Sequence, residues 1–320
     1  MVYKPEVDEI YRVVDKQRER PYYLLVEAKT NGQPRYARAA VNQLLFSTNE
    51  FKEDAYGVFI APYISPASAQ ICKENNMGYV DLAGNCYLSF SNIFIQKEGN
   101  PNPYTEKQPL KSLFYPKSER ILRALLSSGP KEWKVAELAE ASNTSLGLVS
   151  NVKGYLEDQE WLDADSIGFR LMKPFDLLEF WSENYSYQQN DVMEYYSLQD
   201  TSEIEAQFGR VCNHVNVRYG LTGFSGGSRY AAAVRYNRVM TYIEDRIEEI
   251  ASIMELKKVD SGANVIILNP YDEGVFYFSQ EKGGNIVVSP LQTYLDLKSV
   301  RGRGEEAAQA VFEQVIRKLW

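Results

Sequence analysis

The sequence predicts a multi-domain α/β protein with a winged helix-turn-helix at its centre. Three observations lead there. At 320 residues the chain exceeds the usual length of one domain. Segments of strand period and helix period alternate at both ends of the chain, the pattern of layered α/β folds. Between them, Ser118–Lys173 changes to three short amphipathic helices followed by a hairpin. The domain boundaries follow as 1–109, 110–185 and 186–320.

The first domain opens with a predicted helix from Pro5 to about Arg18, which puts Val7, Ile10, Tyr11 and Val14 on one side. Tyr22–Lys29 (YYLLVEAK) is a strand. Alternation sends Leu24, Val26 and Ala28 to one face and Leu25, Glu27 and Lys29 to the other. After a turn at Asn31–Gly32, Arg35–Phe46 is a helix carrying Arg38, Asn42 and Gln43, and Gly57–Ile64 is a buried strand. Ser65 caps a helix reaching Asn75, with Pro66 in its first position. Tyr79–Phe90 and Ile93–Gln96 complete the layer, and Val80 to Asn85 form a structural corner, with a binding role as the alternative. Asn100–Tyr115, with three prolines, is a linker.

Glu27-Ala28-Lys29 on a buried strand, followed by a helix with Gln43, resembles the PD-(D/E)xK restriction-endonuclease-like fold. The resemblance implies Glu27 and Lys29 as catalytic residues and Mg²⁺ as the ion. Carboxylates offer hard oxygen ligands, and a lysine on the same face orients the attacking water. That fold takes another carboxylate from a strand ahead of the ExK strand, but between Asp15 and Glu27 the chain has no acid except Glu19, at a helix end, and no room for that strand. Asp8, Glu9 and Asp81 are the stand-ins. The constellation reads as incomplete, so the expectation is a degenerate domain leaning away from an enzyme. An ion pair on a strand is the plain alternative.

In the central segment Ile121, Leu122, Leu125 and Leu126 form the apolar face of a helix ended by Gly129-Pro130. A second helix carries Val135, Leu138 and Ala139. Asn143, Thr144 or Ser145 caps a third, whose buried face is Leu146, Val149, Val152, Tyr155 and Leu156. Trp161-Leu162 and Phe169–Leu171 are strands flanking a turn at Asp163–Gly168. In this motif the helix after the turn enters the DNA major groove. The segment as a whole is not basic, yet Ala141–Tyr155 holds no carboxylate. Asn143, Thr144, Ser145, Ser150, Asn151 and Lys153 are therefore the candidate groove contacts, and Arg170 on the wing the candidate phosphate contact. Winged helices also serve as protein-contact modules, which is the competing reading.

The third domain follows a helix at Phe175–Tyr185. Gln188–Ala206 is polar and acidic and reads as a helix with a loop. From Ala206 to Ile243 there is no carboxylate, and Arg210, Arg218, Arg229, Arg235 and Arg238 interleave with four tyrosines. That combination suits nucleic acid or a phosphorylated ligand. Arg218, Arg229, Arg235 and Arg238 are its candidate residues; pairing with Glu203, Glu205, Glu244 and Asp245 is the structural alternative. Gly223-Phe224-Ser225-Gly226-Gly227-Ser228 reads as a loop packed on a helix. Val265–Leu268, Val275–Phe278 and Ile286–Val288 are strands, and two helices separated by Arg301-Gly302-Arg303-Gly304 close the chain.

GLTGFSGGSRYAA, GANVIILNPYDEGVFYF and VVSPLQTYLDLKSVRGRGEEAAQAVFEQVIRK resemble the transcriptional-regulator family that includes AbiEi, the antitoxin of type IV toxin–antitoxin systems. The resemblance implies a winged helix that binds operator DNA and represses its own operon. It also implies a C-terminal domain that counters a nucleotidyltransferase-like toxin indirectly, without a stable complex. In that pattern the winged helix comes first, whereas here an α/β domain precedes it.

Composition narrows the choice. A net charge of −8 confines any nucleic-acid contact to a local patch. No apolar run reaches membrane-span length. Three scattered cysteines fit a reducing cytoplasm and argue against a zinc site, and one histidine excludes multi-histidine centres. The expected partners are double-stranded operator DNA and, in a homodimer matched to palindromic half-sites, a second copy. No metal or cofactor is expected unless the nuclease alternative brings Mg²⁺.

Overall fold

The structure, a computed structural model, describes residues 7–14, 21–104, 113–165, 168–231 and 235–320. The chain divides into two compact units, Met1–Lys111 with Lys153–Leu162, and Ser112–Val152 with Asp163–Trp320. The fold is mixed α/β throughout.

The first unit is built on a six-stranded sheet of β1 (Glu9–Val13), β2 (Tyr22–Ala28), β3 (Ala55–Ala61), β4 (Gly78–Asp81), β5 (Cys86–Phe90) and β6 (Ile93–Lys97), in that spatial order. β2, β3 and β4 run parallel, and the remaining pairs are antiparallel. Parallel neighbours need helical crossovers, supplied by α1 (Pro34–Glu50) and α2 (Pro66–Glu74). Ala37, Ala40, Val41 and Leu44 of α1 pack on Leu25, Phe59 and Tyr79. Ser65 caps α2 as expected, its hydroxyl accepting from the Ser68 N–H. Asp81 makes the corner: its carboxylate accepts from the N–H groups of Ile64 and Asn85 and from the Asn85 amide.

The helix expected near the N-terminus is instead a strand, so a strand does precede the one that carries Glu27, where none was expected to fit. Glu9–Val13 pairs with Tyr22–Val26. Ile10 and Tyr11 are exposed, so no helical face is buried there. Four apolar residues at helical spacing were outweighed by the unpaired edge of β2. Pro5 and Arg18, the ends of the expected helix, and 105–112 of the linker lie outside the described residues, as do 166–167 of the wing turn.

The second unit contains α3 (Pro116–Ser127), β7 (Glu132–Trp133), α4 (Val135–Ala141) and the start of α5 (Leu146–Asp158). β8 (Leu162–Ala164) and β9 (Phe169–Leu171) follow, in a three-stranded sheet of order β7-β9-β8, and then α6 (Pro174–Asn184). The last turns of α5 are counted with the first unit, where the Asn31 amide donates to Asp158 and Arg38 pairs bidentately with Glu160.

The larger sheet of this unit has the order β13-β10-β14-β12-β11-β16-β15. Its strands are β10 (Asp191–Tyr196), β11 (Tyr219–Leu221), β12 (Val239–Ile243), β13 (Lys257–Lys258), β14 (Val265–Asn269), β15 (Gln280–Lys282) and β16 (Asn285–Val287). α7 (Thr201–His214) and α9 (Ile247–Ile253) cover one core, with Ile204, Phe208 and Ile250 against Val265 and Ile267. Met240, Tyr242, Ile266 and Leu268 gather with Val275 and Phe276 in another.

Three local expectations are corrected here. Gln188–Ala206 contains strand β10, because DVMEYY finds a partner on each side in β13 and β14. Glu273–Phe276 is a 3-10 turn rather than a strand, since the Asp272 carboxylate accepts from the Gly274 N–H and bends the chain. Gly223–Tyr230 is a helix, α8. Its glycines serve close packing: a Cβ at Gly226 would approach the Leu221 carbonyl oxygen at 3.0 Å, and one at Gly227 would approach Leu297 at 3.0 Å.

A buried polar network joins α3 and α6 to this sheet and to α10 (Pro290–Lys298). Glu119 and Arg123 of α3 are both essentially inaccessible. Arg123 donates to Glu119, to the Tyr271 hydroxyl and, at 2.6 Å, to Gln292 Oε1. Its guanidinium lies 5.0 Å from the Trp181 ring, and Trp181 Nε1 donates to Glu119. From Gln292 the network runs to Tyr185, Tyr242 and Asp296. Asp296 also accepts from the Thr222 hydroxyl. Burial pushes the Asp296 carboxyl up to about 6 against the four side-chain hydrogen bonds that lower it. The cysteines are all free, and burial pushes Cys72 and Cys212 up to about 12.

Removing one member of a buried ion pair strands the other. Arg123→Ala is expected to cost about 3–5 kcal/mol in urea denaturation, and Glu119→Gln/Arg123→Met together to cost less than Arg123→Ala alone.

Candidate nucleic-acid interface

The start of α5 is built by hydrogen bonds within the preceding turn. Asn143 adopts φ of 50°, a left-handed conformation that asparagine tolerates. The Ser142 hydroxyl donates to the Leu138 carbonyl and lies 2.8 Å from the Thr144 hydroxyl. Ser145 Oγ accepts from the Leu148 N–H at 3.2 Å and so caps the helix. Thr144 and Ser145 therefore shape the turn. Ser150 and Asn151 are exposed, and their side chains have no hydrogen-bond partner among the described residues.

Two small features smooth the same end of the helix. Gly147 is exposed, and a Cβ there would meet nothing within 4 Å. Leu146 is 57% exposed, an apolar group of the kind that meets a thymine methyl. Backbone N–H groups at a helix start carry partial positive charge, and no carboxylate on α5 opposes it before Glu157.

One acidic neighbour comes from elsewhere in the second unit. Asn143 Nδ2 donates to Glu273 Oε1 at 3.5 Å. Glu273 is drawn away by Arg120 at 2.7 Å and Arg218 at 3.9 Å. Arg120 also grips Asp272 with two nitrogens, and the Tyr277 hydroxyl donates to the Ser142 carbonyl. The turn before α5 is thus held from the side by the 3-10 segment.

The remaining sequence candidates divide. Lys153 is ion-paired with Glu157 at 2.5 Å, which offsets its charge. Arg170 stands opposite Glu132 on β7 and 4.0 Å from Asp163, in a cavity of about 210 Å³ also lined by Asp165. Arg218 and Arg229 are paired with Glu244 and Glu205 at 2.6 and 2.8 Å. Arg235 and Arg238 instead line a cavity together with Arg301 and Arg303. The sequence reading passed over the last two, although the Arg-Gly-Arg-Gly break marked them.

In the first unit Glu27 is buried and Lys29 Nζ donates to its Oε1 at 2.5 Å, while its Oε2 has no partner among the described residues. Asp8 Oδ2 accepts from the N–H of Ala28 at 2.8 Å, between Glu27 and Lys29 in sequence. Among the described residues no three His, Cys, Asp or Glu side chains form a group able to hold a metal ion.

Part of this chain is similar to a known family. Residues 170–317 match the family described as transcriptional regulator, AbiEi antitoxin, type IV TA system. The AbiEi match covers a little under half of the chain, starts on β9 and takes in the whole large sheet of the second unit. Helices α3 to α5 lie ahead of it. No curated protein and no solved structure matches the chain. No helix among the described residues is long and apolar enough to cross a membrane.

The cap and the free polar positions separate by experiment. Ser145→Ala is expected to lose roughly 1 kcal/mol of folding stability, and Asn151→Ala to stay within about 0.5 kcal/mol of the parent, both read from urea midpoints.

Proposed function

We propose that the chain is a cytoplasmic DNA-binding transcriptional regulator of antitoxin type that represses its own operon. In this reading 110–185 is a winged helix-turn-helix, with β8 and β9 as the wing, between a restriction-endonuclease-like domain (1–109) and an antitoxin domain (186–320). The observation that carries it is the exposed start of α5, free of helix carboxylates and stiffened by its own turn. The helix order α3, α4, α5 and the three-stranded sheet support it, and the AbiEi match supplies the regulatory class.

Ser150 and Asn151 are the residues left to read base edges, with Leu146 beside them. Asn143, Thr144 and Ser145 set the angle of approach. Lys153 and Arg170 sit beside carboxylates, so their share of phosphate contact is the smaller one. A homodimer on palindromic half-sites suits this arrangement. The toxin is countered without a stable complex.

The test is a mobility-shift series on DNA upstream of the protein's own gene. Wild type is expected to retain it with a steep salt dependence. Asn151→Ala and Lys153→Glu are each expected to bind about 5- to 100-fold more weakly. Equal retention by all three proteins would remove α5 from the interface. No retention at low salt would favour the rival reading, a protein-interaction module.

A second reading, a Mg²⁺-dependent nuclease, draws on the orphaned Glu27 Oε2 and on Asp8 beside Ala28. β1 supplies the strand ahead of Glu27-Ala28-Lys29. Glu27 fits as one oxygen ligand, and Lys29 would hold the reacting water. Against it, Asp8 is committed to a backbone N–H. Magnesium-dependent cleavage of duplex DNA by wild type, lost in Glu27→Gln and Lys29→Ala, would support it. Equal rates in wild type and Glu27→Gln would end it.

A further inference from the structure

The second unit contains a cavity of about 320 Å³ rimmed by Arg235, Arg238, Arg301 and Arg303. None of the four is ion-paired with a carboxylate among the described residues, and no carboxylate lines the cavity. Elsewhere in this protein of net charge −8, arginines are generally paired. Four exposed guanidiniums around one cavity repel one another unless an anion joins them. Planar guanidinium donors match phosphate oxygens in pairs.

The rest of the cavity offers a different chemistry. Phe224 and Tyr236 stack at 6.5 Å with planes 14° apart. The Tyr236 hydroxyl donates to Glu205 at 2.8 Å, and Arg229 neutralises Glu205 from behind, so the ring is fixed and its anchor adds no free charge. Met240 and Ile266, both buried, belong to the lining as well. An aromatic wall over apolar side chains accepts a planar ring, and base stacking on such walls is tolerant of base identity.

The arginines are held by construction. Arg301 and Arg303 flank Gly302, whose φ is 82°, in the turn between α10 and α11 (Gly304–Gln314). A Cβ at Gly304 would come within 2.3 Å of the Leu297 carbonyl oxygen. Only glycine lets the two helices close so tightly, and the turn presents both arginines beside Arg235. Arg303 Nη1 reaches the Arg235 carbonyl at 3.5 Å.

We propose that this cavity binds one nucleotide unit, phosphates on the arginines and base on the Phe224–Tyr236 wall. The volume lies at the small end of ligand sites, which suits a single nucleotide. Its source is either a free nucleoside triphosphate or the exposed nucleotide of a single strand. The inference is independent of operator binding through α5.

The test uses the full chain, with ATP as one probe and a mixed-sequence single-stranded oligonucleotide of about ten residues as the other. Calorimetry is run on wild type, Arg301→Ala/Arg303→Ala and Arg301→Lys/Arg303→Lys, with thermal melts to verify folding. ATP binding weakened at least about tenfold in the alanine pair and partly kept in the lysine pair supports a free nucleotide. Oligonucleotide binding with the same pattern, kept in Lys153→Glu and without ATP binding, supports a strand. Binding of neither probe by wild type, or equal binding by a folded alanine pair, overturns the proposal. Operator retention by the alanine pair tells failure here from failure of the regulatory reading.

Discussion

The ion pair of Glu119 and Arg123 is the constraint on which the second unit depends. Two charges taken out of water are tolerable only when their remaining valences are satisfied. Here Tyr271, Trp181 and Gln292, from three other stretches of the chain, complete the bonding of both Glu119 oxygens and of Arg123 Nη2, while Arg123 Nε has no partner among the described residues. The segment 113–152 is therefore not separable from the large sheet. Arg120 repeats the logic one turn away with Asp272 and Glu273. α3, buried all round from Ser118 to Leu126, supplies core residues to the helical segment and, through Arg120, holds the 3-10 segment against which the turn before α5 rests.

Electrostatics then sorts the surface. Among the described residues, the start of α5 and the arginine-rimmed cavity both lack carboxylates of their own. Most other cations are spent locally. Pairing of Arg218, Arg229 and Lys153 explains why counting basic residues along the sequence overstates the charge available to a ligand. Unpaired arginines in one cavity matter more than a longer basic run.

Much of the architecture was legible because its signals are local. Ser65-Pro66 announced α2, and the turn Ser142–Ser145 announced α5. The misses share a cause. β1, with apolar residues at helical spacing, and β10, in a polar and acidic stretch, are both strands because of their neighbours in the sheet. Phe276 lies in a 3-10 turn because Arg120, more than 150 residues away, holds Asp272 and Glu273. The site residues were legible in part. A run without acids pointed to α5, but nothing in sequence could tell that Arg235 and Arg238 converge with Arg301 and Arg303 while Arg218 and Arg229 do not. That distinction lives only in three dimensions.

The burial of two of the three thiols has a practical side. Cys72 and Cys212 are sealed and hold their protons well above neutral pH, which leaves them unreactive. Cys86, on β5, is half-buried and free. A small thiol-directed dye therefore has a single entry point on the folded protein, and the native sequence already carries the handle for a fluorescence reporter on the first unit.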